Sequence, residues 1–405
     1  MFERFIAKRI LSDSPGRKSG SLLHIATTSI ALGVVVMILS VAILRGFQQE
    51  IEQKVTGFGA HLVVKSYDMQ EDYGSNPVSR TRVEMQRIEA TPGVAHVQCY
   101  AEKGGMIKTA DQIHGIIFKG VDSGYDSSFF CNNLMEGRFP NLADSTASNE
   151  VLVSQRVAGQ LHLRAGDKMR TYFWQGNTYR ARAFTVSGIY CTDLSDFDDL
   201  YVVGDLRQIQ RINGWSEDEV GGYELAVSHF DELAGTKQRV AEQLGYDLAL
   251  TDIVEQNPAL FSWLRLLNSN IWLIIGVMTL VCMVAVISSF LIMVFEKTSA
   301  IGVLKVLGAT NRSIKRIFLI KSTSVIAKGI AVGDAVAVAL CLLQRQFHLV
   351  RLDRESYSMS FVPVQLDGWV LLFVSAGTLV ACWAALFFPS TFITQVQPAR
   401  TVKVS

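Results

Sequence analysis

In a chain of 405 residues, few of the side chains able to do chemistry are spaced for it. His24, His61, His96, His114, His162, His229 and His348 fall at no metal-ligand spacing such as His-Glu-x-x-His, and no Gly-x-Ser-x-Gly elbow presents a nucleophile. Asp193, Asp196, Asp198 and Asp199 gather enough carboxylate oxygen to attract a cation. The run lacks the glycine and the distal glutamate of a calcium loop, so it reads as a solvated loop. No Cys-x-x-Cys pair is present, and no Gly-x-x-x-x-Gly-Lys-[Ser/Thr] loop offers to cradle a nucleotide phosphate. The residues therefore support no enzyme reading, no metal site and no cofactor bound by this chain. What stands out is charge in an apolar setting: Lys321, Lys328 and Asp334 within one hydrophobic stretch. Intramembrane charges face a bundle interior or a partner. On a helix Lys328 and Asp334 lie about 120° apart, an imperfect geometry for the pairing expected of them. A lipid headgroup or a partner's acid is the other counter-ion open to Lys328, and Lys321 is near enough to the inner end to snorkel.

The elements that carry these residues are membrane helices. Hydrophobic residues make up 49% of the chain and charged ones 19%, below the roughly 25% of an average soluble domain. The net charge of +1 hides a division. Residues 46–264 hold 19 basic against 30 acidic residues, and the rest hold 19 against 7. An acidic centre between basic, apolar ends fits a membrane protein rather than a nucleic-acid binder. Transmembrane helices are expected at 19–44, 317–343 and 369–388, and a longer stalk-plus-span helix at 257–295. The first is too long for a signal peptide, and Arg45-Gly46-Phe47 is no cleavage site.

Basic residues fix the expected orientation. Arg4, Lys8, Arg9, Arg17 and Lys18 flank the first span, Lys297, Lys305, Arg312, Lys315 and Arg316 lie between the second and third, and Arg400 and Lys403 follow the fourth. Both termini are thus read as cytoplasmic, and 46–264 and the loop 344–368 as external. Residues 1–18 carry Phe2, Phe5, Ile6 and Ile10 on one stripe, as in an interfacial helix, and 389–405 forms an inner tail. A helix from Pro258 to Phe295 would be about 57 Å long at 1.5 Å per residue, against a hydrocarbon core of about 30 Å. Phe47, Ile51 and Val55 also extend the first helix at helical spacing, so 45–57 and the start of the second helix read as a stalk.

The external block, 58–256, reads as α+β. Strands are expected at 61–65, 115–121, 150–153, 168–174 and 183–189, helices at 82–89, 154–161 and 232–244, and loops at 74–77 and 141–148. Cys99, Cys131 and Cys191 are external, which leaves one disulfide open among them with nothing to select the pair.

The inner loop 296–316 carries the functional signal. Ala300, Ile301, Leu304 and Leu307 form a short apolar face, Gly308 can end that helix, and Thr310 or Asn311 can cap the next. A half-apolar helix in the cytosol needs a surface to bury it, and a docked partner supplies one. The stretch from Glu296 to Ala309, Glu-Lys-Thr-Ser-Ala-Ile-Gly-Val-Leu-Lys-Val-Leu-Gly-Ala, resembles the signature of FtsX/MacB-type ABC transporter permeases, E-x-x-x-x-I-x-[IV]-L-[KR]-x-[LV]-G-A. Further stretches resemble the family in order: 115–122, 136–140, 150–168, 184–189, Leu260-Phe261 and 388–400. Val294-Phe-Glu-Lys297 and the large block after the first span make the chain most similar to the LolC/LolE lipoprotein-releasing permeases.

The resemblance implies four transmembrane helices, with a MacB-like periplasmic α+β domain inserted between the first and second. It implies a dimer with a second permease copy or paralogue, and cytosolic ABC ATPase subunits that hold the ATP and Mg. Glu296, Lys297, Ala300, Ile301, Gly302, Leu304, Lys305, Leu307, Gly308 and Ala309 would form the coupling helix on that ATPase. Lipoproteins would leave the outer leaflet of a Gram-negative inner membrane and pass to a periplasmic lipoprotein carrier. Val41, Leu44, Leu266 and Ile271 are the expected contacts with membrane lipids or substrate. A MacB-like extrusion permease and an FtsX-like relay to a cell-wall hydrolase are the competing readings. Against the family's apolar third span, Lys328 and Asp334 are departures, although Gly329-x-x-x-Gly333 keeps the small-residue spacing.

Overall fold

The computed structural model describes residues 19–67, 76–80, 85–109, 112–144, 146–175, 178–353 and 359–390. The interfacial helix expected over 1–18 and the tail beyond 390 lie outside these, as do parts of the expected loop 74–77 and helix 82–89.

Two compact units share the chain. The first is helical and, among the described residues, holds four helices long and apolar enough to cross a membrane. These are α1 (Ser19–Gly59), α2 (Pro258–Glu296), α4 (Asn311–Phe347) and α5 (Gly368–Ala385), with the short α3 (Thr298–Val306) between α2 and α4. α1 is unbroken over 41 residues, since no proline interrupts it and apolar positions recur through Phe47, Ile51, Val55 and Phe58. The residues expected as stalk, 45–57, are its later turns, and from Gln49 onward they group with the second unit.

Small residues bring the helices together. A Cβ on Gly329 would sit 2.9 Å from Cβ of Ile30, and one on Gly333 would sit 2.8 Å from the carbonyl oxygen of Ala31. The Gly-x-x-x-Gly step is thus where α4 lies against α1. Gly33 likewise admits Cys282 of α2. Around these contacts Ile30, Val34 and Ile38 pack with Val286, Phe290, Phe318 and Ile330. Asp334 does not pair with Lys328. Its carboxylate accepts a hydrogen bond of 2.8 Å from the Ser375 hydroxyl on α5, while Lys328 stays exposed on α4. The angular separation of the two charges favours this nearer partner on a neighbouring helix.

The second unit comprises Gln49–Ser262 with Leu352–Ser360. Its strands are β1 (Leu62–Ser66), β2 (Val78–Ser79), β3 (Val94–Lys108), β4 (Ile113–Val121), β5 (Leu134–Gly137), β6 (Glu150–Ser154), β7 (Lys168–Gln175), β8 (Thr178–Tyr190), β9 (Tyr201–Asp205), β10 (Glu219–Val220), β11 (Gly222–Val227) and β12 (Leu248–Asp252). Ten form one sheet in the order β12-β1-β11-β3-β4-β9-β6-β8-β5, with β7 bonded to β3 and β8. Pairing is antiparallel except for β4 with β9 and β6 with β8. Short helices pack on it, among them Gln155–Leu161, capped by the Ser154 hydroxyl, and Leu206–Asn213, capped by Asp205. β3, β9, β11 and β12 are strands that the sequence pattern does not disclose, and the helix expected at 232–244 is a single 3-10 turn followed by Leu233–Ala241.

Candidate functional site

α3 is the centre of the segment singled out for coupling. It follows α2 after one break at Lys297, where the Thr298 hydroxyl donates to the carbonyl of Val294 at 3.0 Å. It ends at Gly308, whose φ of 91° closes the helix as the Ala309 amide donates to the carbonyl of Leu304 at 2.9 Å. Thr310 then caps α4, its hydroxyl accepting from the Ser313 amide at 3.3 Å. Two capped turns thus hold a nine-residue helix between two spans.

The expected apolar face of this helix divides. Ile301 is fully buried in the helical core and Gly302 is buried, with Leu304 and Ala309 packed against the same core. The outward face is made by Val303, Val306 and Leu307, which are 52%, 70% and 77% exposed, a spacing of three and four residues. Phe295, just before the turn, is exposed as well. Of these four only Leu307 belongs to the expected set. Ala300, Lys297 and Lys305 are half-buried, and Glu296 and Gly308 are exposed. What the loop presents is a compact apolar patch, suited to a groove on a partner.

The four expected lipid contacts also separate. Leu266 is exposed on α2, Val41 and Ile271 are half-buried, and Leu44 is buried. Leu44 therefore packs within the protein and is not available to lipid. Leu273, Val277, Leu280 and Val284 continue an exposed stripe down α2 at intervals of four, three and four. Lys321 is half-buried near the start of the apolar part of α4.

In the sheet unit, two buried ionic arrangements are not legible in the sequence. Lys119 on β4 is 1% exposed; its ammonium donates to the carbonyl of Phe58 at 2.6 Å and to the carboxylate of Glu224 at 2.7 Å. The rings of Phe58, Tyr100 and Tyr125 stand 5.1–5.6 Å from the same nitrogen. Burial works against its charge, but Glu224 outweighs that and holds the lysine pKa above its ordinary value. The second is the acidic run, in which Asp196 is exposed while Asp193, Asp198 and Asp199 are at least half-buried. Asp198 is buried and accepts from the Thr192 hydroxyl at 2.7 Å and amide at 3.0 Å, and burial raises its pKa to about 6. Asp193 pairs with Lys54 at 3.6 Å and accepts from Ser360, and Asp199 pairs with Arg156. These carboxylates are used by protein partners. Cys99, Cys131 and Cys191 are all unbridged thiols; Cys99 donates to Asp122 at 2.7 Å, and burial pushes its thiol up to about 12.

Comparison with known proteins divides the chain in two, with the first span on the side of the sheet unit. The family model of the MacB-like periplasmic core domain matches residues 24–241, and that of the FtsX-like permease C-terminal matches 272–398. The lipoprotein-releasing system transmembrane protein LolC of Xylella fastidiosa is 22% identical, with 96% of this chain and 95% of that one covered. LolE of Haemophilus influenzae is 20% identical, with 92% of each covered. Among solved structures, the periplasmic region of MacB from Actinobacillus actinomycetemcomitans covers 51% of this chain and 94% of its own, at 13% identity and TM-score 0.34. The first model alone takes in more than half of the residues, and with the second it spans sheet and helices alike: the chain belongs to the ABC permease family built from a MacB-like periplasmic core domain and an FtsX-like permease C-terminal region.

Proposed function

We propose that this chain is the permease subunit of a lipoprotein-releasing ABC transporter of a Gram-negative inner membrane. The observation that carries the reading is the end-to-end likeness to LolC and LolE proteins, which takes in the sheet unit, the coupling segment and all four spans. The chain itself hydrolyses nothing. Cytosolic ABC ATPases dock on the exposed Val303, Val306 and Leu307 patch, bind ATP and Mg, and move α1 and α2. With both termini inside, the sheet stands in the periplasm. A second permease, copy or paralogue, completes the pair, and acylated proteins enter along the apolar stripe of α2 before passing to a periplasmic carrier. Extraction needs ATP because each buried CH₂ of an acyl chain holds the lipoprotein in the bilayer by about 0.8 kcal/mol.

The test is photo-crosslinking in living cells from Leu266 and from Ile271. Adducts with acylated lipoproteins that vanish when acylation is blocked are the expected result. Capture of soluble peptides alone would favour extrusion, and a cell-wall hydrolase held by the sheet unit would favour a mechanical relay.

A further inference from the structure

We propose that Lys119 is a positioning residue that clamps the end of α1 to the sheet, so that nucleotide-driven movement of α1 carries the sheet with it. The inference rests on the transporter reading above and assigns a residue to a step that reading leaves without one.

The last carbonyls of a helix have no partner within it. At the end of α1 the carbonyl of Phe58 is taken by the Lys119 ammonium at 2.6 Å, a cation placed at the negative end of the helix dipole. The Phe58 ring is buried in an aromatic socket, with ring centroids of Phe197, Tyr201 and Phe130 at 4.5, 4.8 and 5.7 Å. Backbone and ring of one residue are thus both held. The covalent path offers less. Directly after the helix Ala60 takes a φ of 61°, a sharp left-handed turn that leads into β1, so torque through the main chain meets a bend.

Lys119 bypasses that bend and spreads its hold over the middle of the sheet. It lies on β4; Glu224, which binds it, lies on β11; and Gln98 on β3 donates to the other oxygen of Glu224 at 3.0 Å. The three strands are contiguous, in the order β11-β3-β4. A cavity of about 150 Å³ adjoins this clamp, lined by Val55, Phe58, Lys119 and Glu224 and also by Gln256 and Asn257 just before α2 begins. Aromatic contacts and charge-assisted bonds hold the end of α1 beside that space.

A purely stabilising role does not account for the pair. Apolar residues of similar volume generally replace a buried ion pair at no net loss of stability. Directional hydrogen bonds fix a position in a way that apolar contacts do not.

The experiment uses the full chain with its ATPase and permease partners in liposomes, comparing wild type, Lys119→Arg and the double variant Lys119→Met/Glu224→Leu. Spin labels at Gln53 on α1 and Ile113 on β4 report their separation with and without ATP and vanadate, and a triacylated reporter protein reports release per ATP hydrolysed. The double variant is expected to keep its thermal midpoint. Its label separation should broaden and shift with nucleotide, and its release per ATP should fall about tenfold, the size of an ordinary coupling interaction. Lys119→Arg should retain most of the coupling. A label separation in the double variant as narrow and as nucleotide-independent as in wild type would overturn the clamp. Absence of release from the wild type itself would overturn the lipoprotein reading and leave the clamp to be decided by the distances.

Discussion

Asp198, buried, and His61, half-buried, have opposite protonation preferences. Burial raises the carboxyl of Asp198 to about 6 and lowers the imidazole of His61 to about 4. The folded chain thus favours protonated Asp198, a contribution complete below about pH 4 and lost as pH rises to about 6. It favours neutral His61, a contribution complete above about pH 6.5 and lost as pH falls toward 4. Over the shared window the two slopes oppose each other. Asp198→Asn removes the first, and the amide oxygen can still accept from Thr192. Relative to wild type this variant should lose about 2 kcal/mol between pH 6.5 and pH 4, because each tenfold gain in proton affinity on folding is worth about 1.36 kcal/mol and the window takes in most of the shift. Thermal midpoints across that range in detergent check it, and parallel curves for the two proteins would refute it. Neither preference is legible in the sequence. Asp198 sits in an acidic run that composition assigns to solvent, and only the fold shows that its carboxylate closes a turn over Thr192. The same holds for Lys119 and Glu224. Each is a lone charge within an otherwise apolar strand, and a local window does not show whether such a charge faces solvent or a buried partner on another strand.

α3 is short enough for its two faces to be tested separately. Ile301 is in the core and Leu307 is outside it. Ile301→Ala should cost the helical unit about 2–5 kcal/mol through the cavity it leaves, visible as a lower unfolding temperature with or without the ATPase. Leu307→Asp should leave that temperature alone and weaken ATPase binding by about 2 kcal/mol or more, the scale of a central interface residue, measured by co-purification. If Leu307→Asp retained the ATPase at wild-type level, the docking patch would lie elsewhere. At the junction of α1 and α4, Gly333→Leu would drive a side chain into the Ala31 carbonyl and Val34. Engineered cysteine pairs across the two helices should then crosslink far less than in the glycine protein. The spacing of these glycines is readable because small residues four apart have one main use between membrane helices. The outward face of α2 is not. A helix that is apolar all round has no polar stripe to mark which side meets protein. For that reason the buried place of Leu44 and the exposed stripe from Leu273 to Val284 emerge only from the packing.

For the molecule as a whole, the sequence discloses most where physics leaves few choices. Four apolar runs, an acidic block between the first two, and one loop with a partly apolar face between the second and third define the architecture, because a bilayer admits little besides helices of sufficient length. The sheet is legible only in fragments, since its order depends on long-range pairing that no local window contains. That pairing has one further consequence. The strand that receives the chain from α1 and the strand that returns it toward α2 are neighbours, with Leu62 opposite Asp252. Entry and exit lie one strand apart at the sheet's border. The sheet is therefore a cassette inserted at a single place, apart from the segment Leu352–Ser360 that joins its unit from elsewhere in the chain, and a short turn joining the two strands would suffice to excise the strands between them. Evolution can enlarge, exchange or delete such an insert without re-routing the polypeptide through the bilayer, which gives a physical reason for one helical chassis to carry heads of different size and purpose.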